Sequence, residues 1–198
     1  MVTSGSPTPS LLGYGMSNER KAGLANVAQG RYMTTFAPQT TPAVYFINTT
    51  DLTSRWVFQT DGNANGIAYA PDGTLYIDTT GISSGRPNVK DPFKTRAVLS
   101  FDTDGGKPPL RHQRLFYNSI SYYCDGLRVS GGGLVFCAAN DGVEVIDPVE
   151  GLTLGRVRTG GGENQAVNIA LDDHTLWIVG KGGVWKVSGI RECLSRDW

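Results

Sequence analysis

Two stretches decide the fold: Asn65-Gly-Ile-Ala-Tyr-Ala-Pro-Asp-Gly-Thr-Leu-Tyr-Ile-Asp78 and Asp125-Gly-Leu-Arg-Val-Ser-Gly-Gly-Gly-Leu-Val-Phe-Cys-Ala-Ala139. Each leads from a polar residue and a glycine into a short apolar run, turns at a glycine and returns as a second apolar run, the pattern of a β-hairpin. A weaker third copy reads Val167-Asn-Ile-Ala-Leu-Asp-Asp-His-Thr-Leu-Trp-Ile-Val179. Asn-Gly and Asp-Gly are also plain turn formers, so the dipeptides alone settle nothing. What matters is that both open the same kind of segment. Repetition of one hairpin sets equivalent residues at equivalent places around an axis. The expectation is that Asn65 and Asp125 bring their side-chain oxygens to one mouth, where hard donors of this kind suit a divalent cation.

Outward from these stretches, the chain from Ala43 onward reads as β throughout. The strands expected are Ala43–Asn48, Ser54–Gln59, Gly66–Tyr69, Thr74–Asp78, Ala97–Asp102, Arg111–Tyr117, Gly126–Val129, Leu134–Ala138, Gly142–Ile146, Gly155–Arg158, Val167–Leu171, Thr175–Val179 and Gly183–Val187. They are short, rich in β-branched and aromatic residues, and separated by Gly, Asp and Asn turns. They group as two strands in 43–59, four in 65–119, four in 125–158 and three in 167–187. Four-stranded sheets repeating along a chain indicate a β-propeller. The fold expected is all-β, a partial β-propeller of four-stranded antiparallel blades with about three blades present. Residues 1–28 read as a loose Ser/Thr/Gly/Pro leader with a short helix over Arg20–Ala28, residues 29–190 as the propeller, and 191–198 as a tail. The polar segment Gly81–Lys94 reads as a loop inserted on the binding face.

Composition narrows the partners. Eighteen basic residues balance eighteen acidic ones, so neither nucleic acid nor an anionic membrane is expected. No apolar run reaches the length of a spanning helix. Met1–Ser10 has no signal-peptide pattern, which favours the cytoplasm over secretion. The sequon Asn48-Thr49-Thr50 matters only in a secreted chain. Cys124, Cys137 and Cys193 form an odd set without metal-type spacing and read as free thiols.

The ordered set of segments resembles the gluconolactonase/regucalcin/luciferin-regenerating family of six-bladed propeller lactonases, in its fungal gluconolactonase-like branch. The resemblance covers about residues 29–188 and rests on Phe36-Ala-Pro-Gln, Ala43-Val-Tyr-Phe, the Asn65 segment, Leu99-Ser-Phe-Asp, Asp125-Gly-Leu-Arg-Val, Asn140-Asp-Gly-Val-Glu-Val-Ile-Asp-Pro and Gly182-Gly-Val-Trp-Lys-Val. It implies a metal-dependent lactonase-type hydrolase of a small-molecule lactone or ester. One divalent ion sits on the propeller axis, Ca²⁺ ahead of Mg²⁺, Mn²⁺ or Zn²⁺. Asn65 and Asp125 match the family's Asn and Asp ligands, and Asp125 matches the base that activates water. The family's Glu ligand, from its first blade, has no counterpart in the matched stretch. Two rival readings stand beside this one: a non-catalytic truncated propeller that acts as a binding module, and half of a ring completed by a homodimer.

Other residues carry weaker signals. Cys124 directly precedes Asp125 and is a candidate for the pocket. His112 and His174 lack a neighbouring acid or nucleophile motif. Gly160-Gly-Gly-Glu163 lacks the Lys-Ser/Thr and the helix of a phosphate loop. Gly131-Gly-Gly133 reads as a hairpin turn. Trp56, Trp177 and Trp185 read as core between sheets.

Overall fold

The computed structural model describes residues 14–16, 43–48, 51–60, 64–81 and 95–195. The expected helix Arg20–Ala28, most of the Gly81–Lys94 loop and part of the sequon lie outside the described residues. Among the described residues fourteen strands are formed: β1 Tyr14–Met16, β2 Ala43–Ile47, β3 Ser54–Gln59, β4 Ala64–Tyr69, β5 Thr74–Thr80, β6 Arg96–Asp104, β7 Lys107–Tyr117, β8 Leu127–Val129, β9 Val135–Ala139, β10 Gly142–Ile146, β11 Thr153–Arg158, β12 Gln165–Asp172, β13 Thr175–Lys181 and β14 Gly183–Ser188. No helix among the described residues is long and apolar enough to cross a membrane.

The strands pair in four antiparallel sheets, ordered β1-β2-β3, β4-β5-β6-β7, β8-β9-β10-β11 and β12-β13-β14. The grouping expected from the sequence is the grouping found. One strand corrects it: Tyr14–Met16, in the stretch read as a leader, pairs with β2 from Tyr14↔Phe46 to Met16↔Val44. Three residues carry no period to detect.

The sheets stack, and alternation along the strands shows how. On β5, Leu75 and Ile77 enter a core shared with Val44 of the first sheet, whereas Tyr76 enters a core shared with Leu127 and Val135 of the third. On β9, Val135, Cys137 and Ala139 face the second sheet, while Phe136 and Ala138 face Ile169, Leu176 and Ile178 of the fourth. Successive strand side chains point to opposite faces, so a strand sandwiched between two sheets is apolar at every position. That is why Leu-Tyr-Ile and Val-Phe-Cys-Ala-Ala read as continuous apolar runs. Three inter-sheet cores thus join four sheets in chain order.

The end sheets behave differently. Trp56 on β3 is 64% exposed, and Val184 on β14 equally so. Trp185 does pack against the core of the third and fourth sheets. Trp177 alternates to the other face, where the Lys186 ammonium lies 5.1 Å from its ring. The expectation of three core tryptophans holds for Trp185 and fails for Trp56, which lies on a strand at the edge of an end sheet.

Candidate functional site

Antiparallel order collects particular strand ends together. β4 starts, β5 ends, β6 starts and β7 ends on one side of the second sheet. The end of β5 at Thr80, the start of β6 at Arg96 and the crossover from Asn118 to Asp125 therefore lie on the same side as Asn65. The opposite side holds the β6–β7 turn at Asp104 and the β12–β13 turn bearing His174.

Asn65 sits at a bulge. Ala64 pairs with Thr79 and Ile67 with Ile77, so Asn65 and Gly66 together oppose Asp78. An extra residue on one strand re-aims its side chain. Gly66 N–H donates to Asp78 Oδ1. The Asn65 amide donates from Nδ2 to Asp125 Oδ1, a contact between residues 60 apart in sequence. The two residues singled out from the repeat are therefore joined side chain to side chain.

The glycines of the repeat are explained by packing. Gly66 and Gly126 both lie outside the left-handed region, so neither is required by a turn. A Cβ on Gly66 would lie 2.7 Å from the Asp125 carbonyl oxygen and 3.0 Å from Leu127 N. A Cβ on Gly126 would lie 2.5 Å from Asn168 Oδ1 and 2.9 Å from the Val167 carbonyl oxygen. The segments that open the second, third and fourth sheets pack backbone to backbone in succession, which leaves no room for a side chain at Gly66 or Gly126. The same approach brings Asn65 and Asp125 within reach of each other.

Asp125 is anchored through β9. Its N–H donates to the Ala138 carbonyl at 2.8 Å, and Ala138 N–H donates to the Gly126 carbonyl at 2.8 Å. A disulfide joins Cys124 to Cys137, with Cα atoms 5.3 Å apart. Two expectations are corrected here. Cys124 and Cys137 are not free thiols; among the described cysteines only Cys193 is free. Nor does Cys124 line a pocket, since it is 3% exposed and part of the core between the second and third sheets. The spacing of 13 residues matches no sequence signature. The pair is made by the register that sets Leu127 opposite Cys137.

Burial raises the Asp125 carboxyl above its ordinary value, and the hydrogen bond from Asn65 opposes this. Burial likewise drives Asp78 well above its ordinary value; the Gly66 N–H lowers it, the Asp125 charge raises it and the Asn65 N–H lowers it. Tyr123 is raised by burial and then by the charges of Asp125 and Asp78. Asp78 and Tyr123 escaped the sequence reading. The available signal for Asp78 was an acid closing the otherwise apolar run Leu75-Tyr-Ile.

The remaining candidates lie apart. His112 Nδ1 is 2.7 Å from Asp102 Oδ2 on the exposed face of β6 and β7. His174 Nδ1 is 3.2 Å from the Glu192 carbonyl oxygen. Gly131–Gly133 form the β8–β9 turn, with Gly133 N–H donating to the Ser130 carbonyl at 3.0 Å. Gly160–Gly162 belong to the β11–β12 crossover, beside the Glu163–Lys181 ion pair at 2.7 Å.

Among the described residues no three His, Cys, Asp or Glu side chains cluster as an ion site. The donors that meet are one amide and one carboxylate, with the buried Asp78 behind them. This oxygen set fits a hard divalent cation and offers no thiolate, because the neighbouring cysteines are bonded to each other.

Small antiparallel sheets stacked in chain order define a β-propeller architecture. The chain belongs to the gluconolactonase/regucalcin-like lactonase family. It is 31% identical over 167 residues to the lactonohydrolase oryL of Aspergillus oryzae, covering 77% of this chain and 37% of that protein. To the lactonohydrolase oryH of the same organism it is 30% identical over 173 residues, covering 80% and 36%. A gluconolactonase structure from Xanthomonas campestris matches with a TM-score of 0.64 at 25% identity, over 77% of this chain and 46% of that one. A regucalcin from Agrobacterium tumefaciens, described as a calcium-binding protein, matches in fold with a TM-score of 0.61 at 17% identity, over 78% and 54%. No family model matches the chain. The chain spans little more than a third of the length of the curated lactonohydrolases it matches.

Proposed function

We propose that the chain serves in hydrolysis of a small-molecule lactone or ester, with Asn65 and Asp125 holding a divalent cation and Asp125 acting as general base. The observation that carries this reading is the side-chain contact between Asn65 and Asp125 across two sheets. The calcium-binding regucalcin in the family favours Ca²⁺ over Mg²⁺, Mn²⁺ or Zn²⁺.

Lactone opening adds water to an ester carbonyl. Asp125 Oδ accepts a proton from the attacking water as its oxygen bonds to the carbonyl carbon. The ring C–O bond then breaks, and the departing alkoxide takes a proton back, leaving a hydroxy acid. A cation at this site supplies polarisation of the carbonyl and offsets the charge developing on its oxygen. Burial makes Asp125 a stronger base than an exposed aspartate, and the bond from Asn65 fixes which oxygen faces outward.

Asp125→Ala tests the reading. Lactone opening should fall by about 10²–10⁴-fold, the range for loss of a general base, while circular dichroism stays native. Activity that survives the substitution contradicts the mechanism.

A further inference from the structure

Asp78 is a fully buried acid whose role strand pairing does not explain. Glu144 is equally buried, but Arg156, Tyr117 and Ser121 all bond to it. Among the described residues Asp78 has no such cation. Its Oδ1 accepts the N–H of Gly66, and its Oδ2 has no hydrogen-bond partner among the described residues. Burying a carboxylate without a counter-charge is costly, and every described bond it makes is local to one feature.

That feature is the bulge of Asn65 and Gly66, which stands directly opposite Asp78. A bulge leaves part of the strand ladder unpaired, and the Asp78 carboxylate takes up the N–H so released. Alternation on β5 also fixes its direction. Tyr76 enters the core shared with the third sheet, and Asp78, two residues on, continues on that side, where Asp125 stands two residues before β8.

We infer that Asp78 is a positioning residue of the axial site: its carboxylate holds the Asn65–Gly66 bulge and so aims the Asn65 amide at Asp125. The geometric part stands on these contacts alone. Its consequence for ion binding rests on the reading of Asn65 and Asp125 as the ion-holding pair.

The test uses the full ¹³C,¹⁵N-labelled chain, first in calcium-free buffer. In the parent, a through-hydrogen-bond coupling between Gly66 N and Asp78 Cγ is expected, and its absence overturns the inference without any variant. In Asp78→Ala, Gly66 N–H exchange should accelerate and the Asn65 side-chain amide signals should move to solvent-exposed positions. Asp78→Asn keeps an acceptor oxygen and should preserve both. Unchanged Asn65 and Gly66 signals in Asp78→Ala, or failure of Asp78→Asn to preserve them, overturns the inference. Calcium titration follows. Asp78→Ala should weaken Ca²⁺ binding by about 10–100-fold, the usual effect of losing a group that orients a ligand, with Asp78→Asn near the parent. Equal affinities in all three chains overturn the consequence for binding. If the parent itself binds no Ca²⁺ while Asn65 and Gly66 respond as expected, the ion-site reading fails and the positioning role stands.

Discussion

At Asp125, proton and ion compete for one carboxylate. Burial sets its folded value above the ordinary 3.8, so its contribution to stability in the ion-free chain is fully present below that ordinary value and is lost as pH rises through the folded value. Ion binding has the opposite sign, because a cation binds only the ionised form. Calcium affinity measured at several pH values between 4 and 7 should therefore weaken toward the acid end, beginning at a higher pH than it would for an exposed aspartate. Affinity that is flat down to pH 4 contradicts the account. Asn65 and Asp125 were legible in the sequence because each opens a repeated segment. Asp78 was not, because the ladder offset that places it opposite Asn65 and Gly66 leaves no trace in spacing. The meaning of the glycines was only half legible: the sequence offers turn chemistry, whereas the structure uses the missing Cβ for close approach between strands.

The crossover that delivers Asp125 depends on a buried network beneath it. Glu144 on β10 accepts from Tyr117 Oη at 2.6 Å and Ser121 Oγ at 3.1 Å, and pairs with Arg156, which also reaches Asp141 at 3.0 Å. These bonds tie the end of β7 and the residues after it to the third sheet. Glu144→Ala leaves the largely buried Arg156 with only part of its charge compensated and should cost about 3–5 kcal/mol in urea unfolding. Glu163→Ala, which breaks an exposed pair with Lys181, should leave the midpoint unchanged. Similar losses in the two variants contradict this assignment. Strand positions were readable to within a few residues because sandwiched strands carry continuous apolar runs and turns are marked by Gly and Asp. Polar networks between sheets, and the Cys124–Cys137 bond, are long-range consequences of register and carry no local pattern.

Among the described residues, the inner sheets are covered on both faces and the end sheets on one. Trp56 and Val184, each 64% exposed, stand on these end sheets, and exposed apolar surface on sheets invites association. Light scattering on the 198-residue chain should show mass rising with concentration, whereas a monomer at every concentration contradicts that expectation. The axial site depends on the stacking of the second and third sheets, which Gly66 and Gly126 permit and which sets Asn65 against Asp125. The most direct test of that arrangement is a thermal melt of the parent chain, Asn65→Ala and Asp125→Ala, each in EDTA and in Ca²⁺. A ligand that binds only the native state must raise its melting temperature. The account predicts a cooperative melt raised by Ca²⁺ in the parent and by neither variant; a calcium-blind parent, or an equal rise in all three chains, contradicts it.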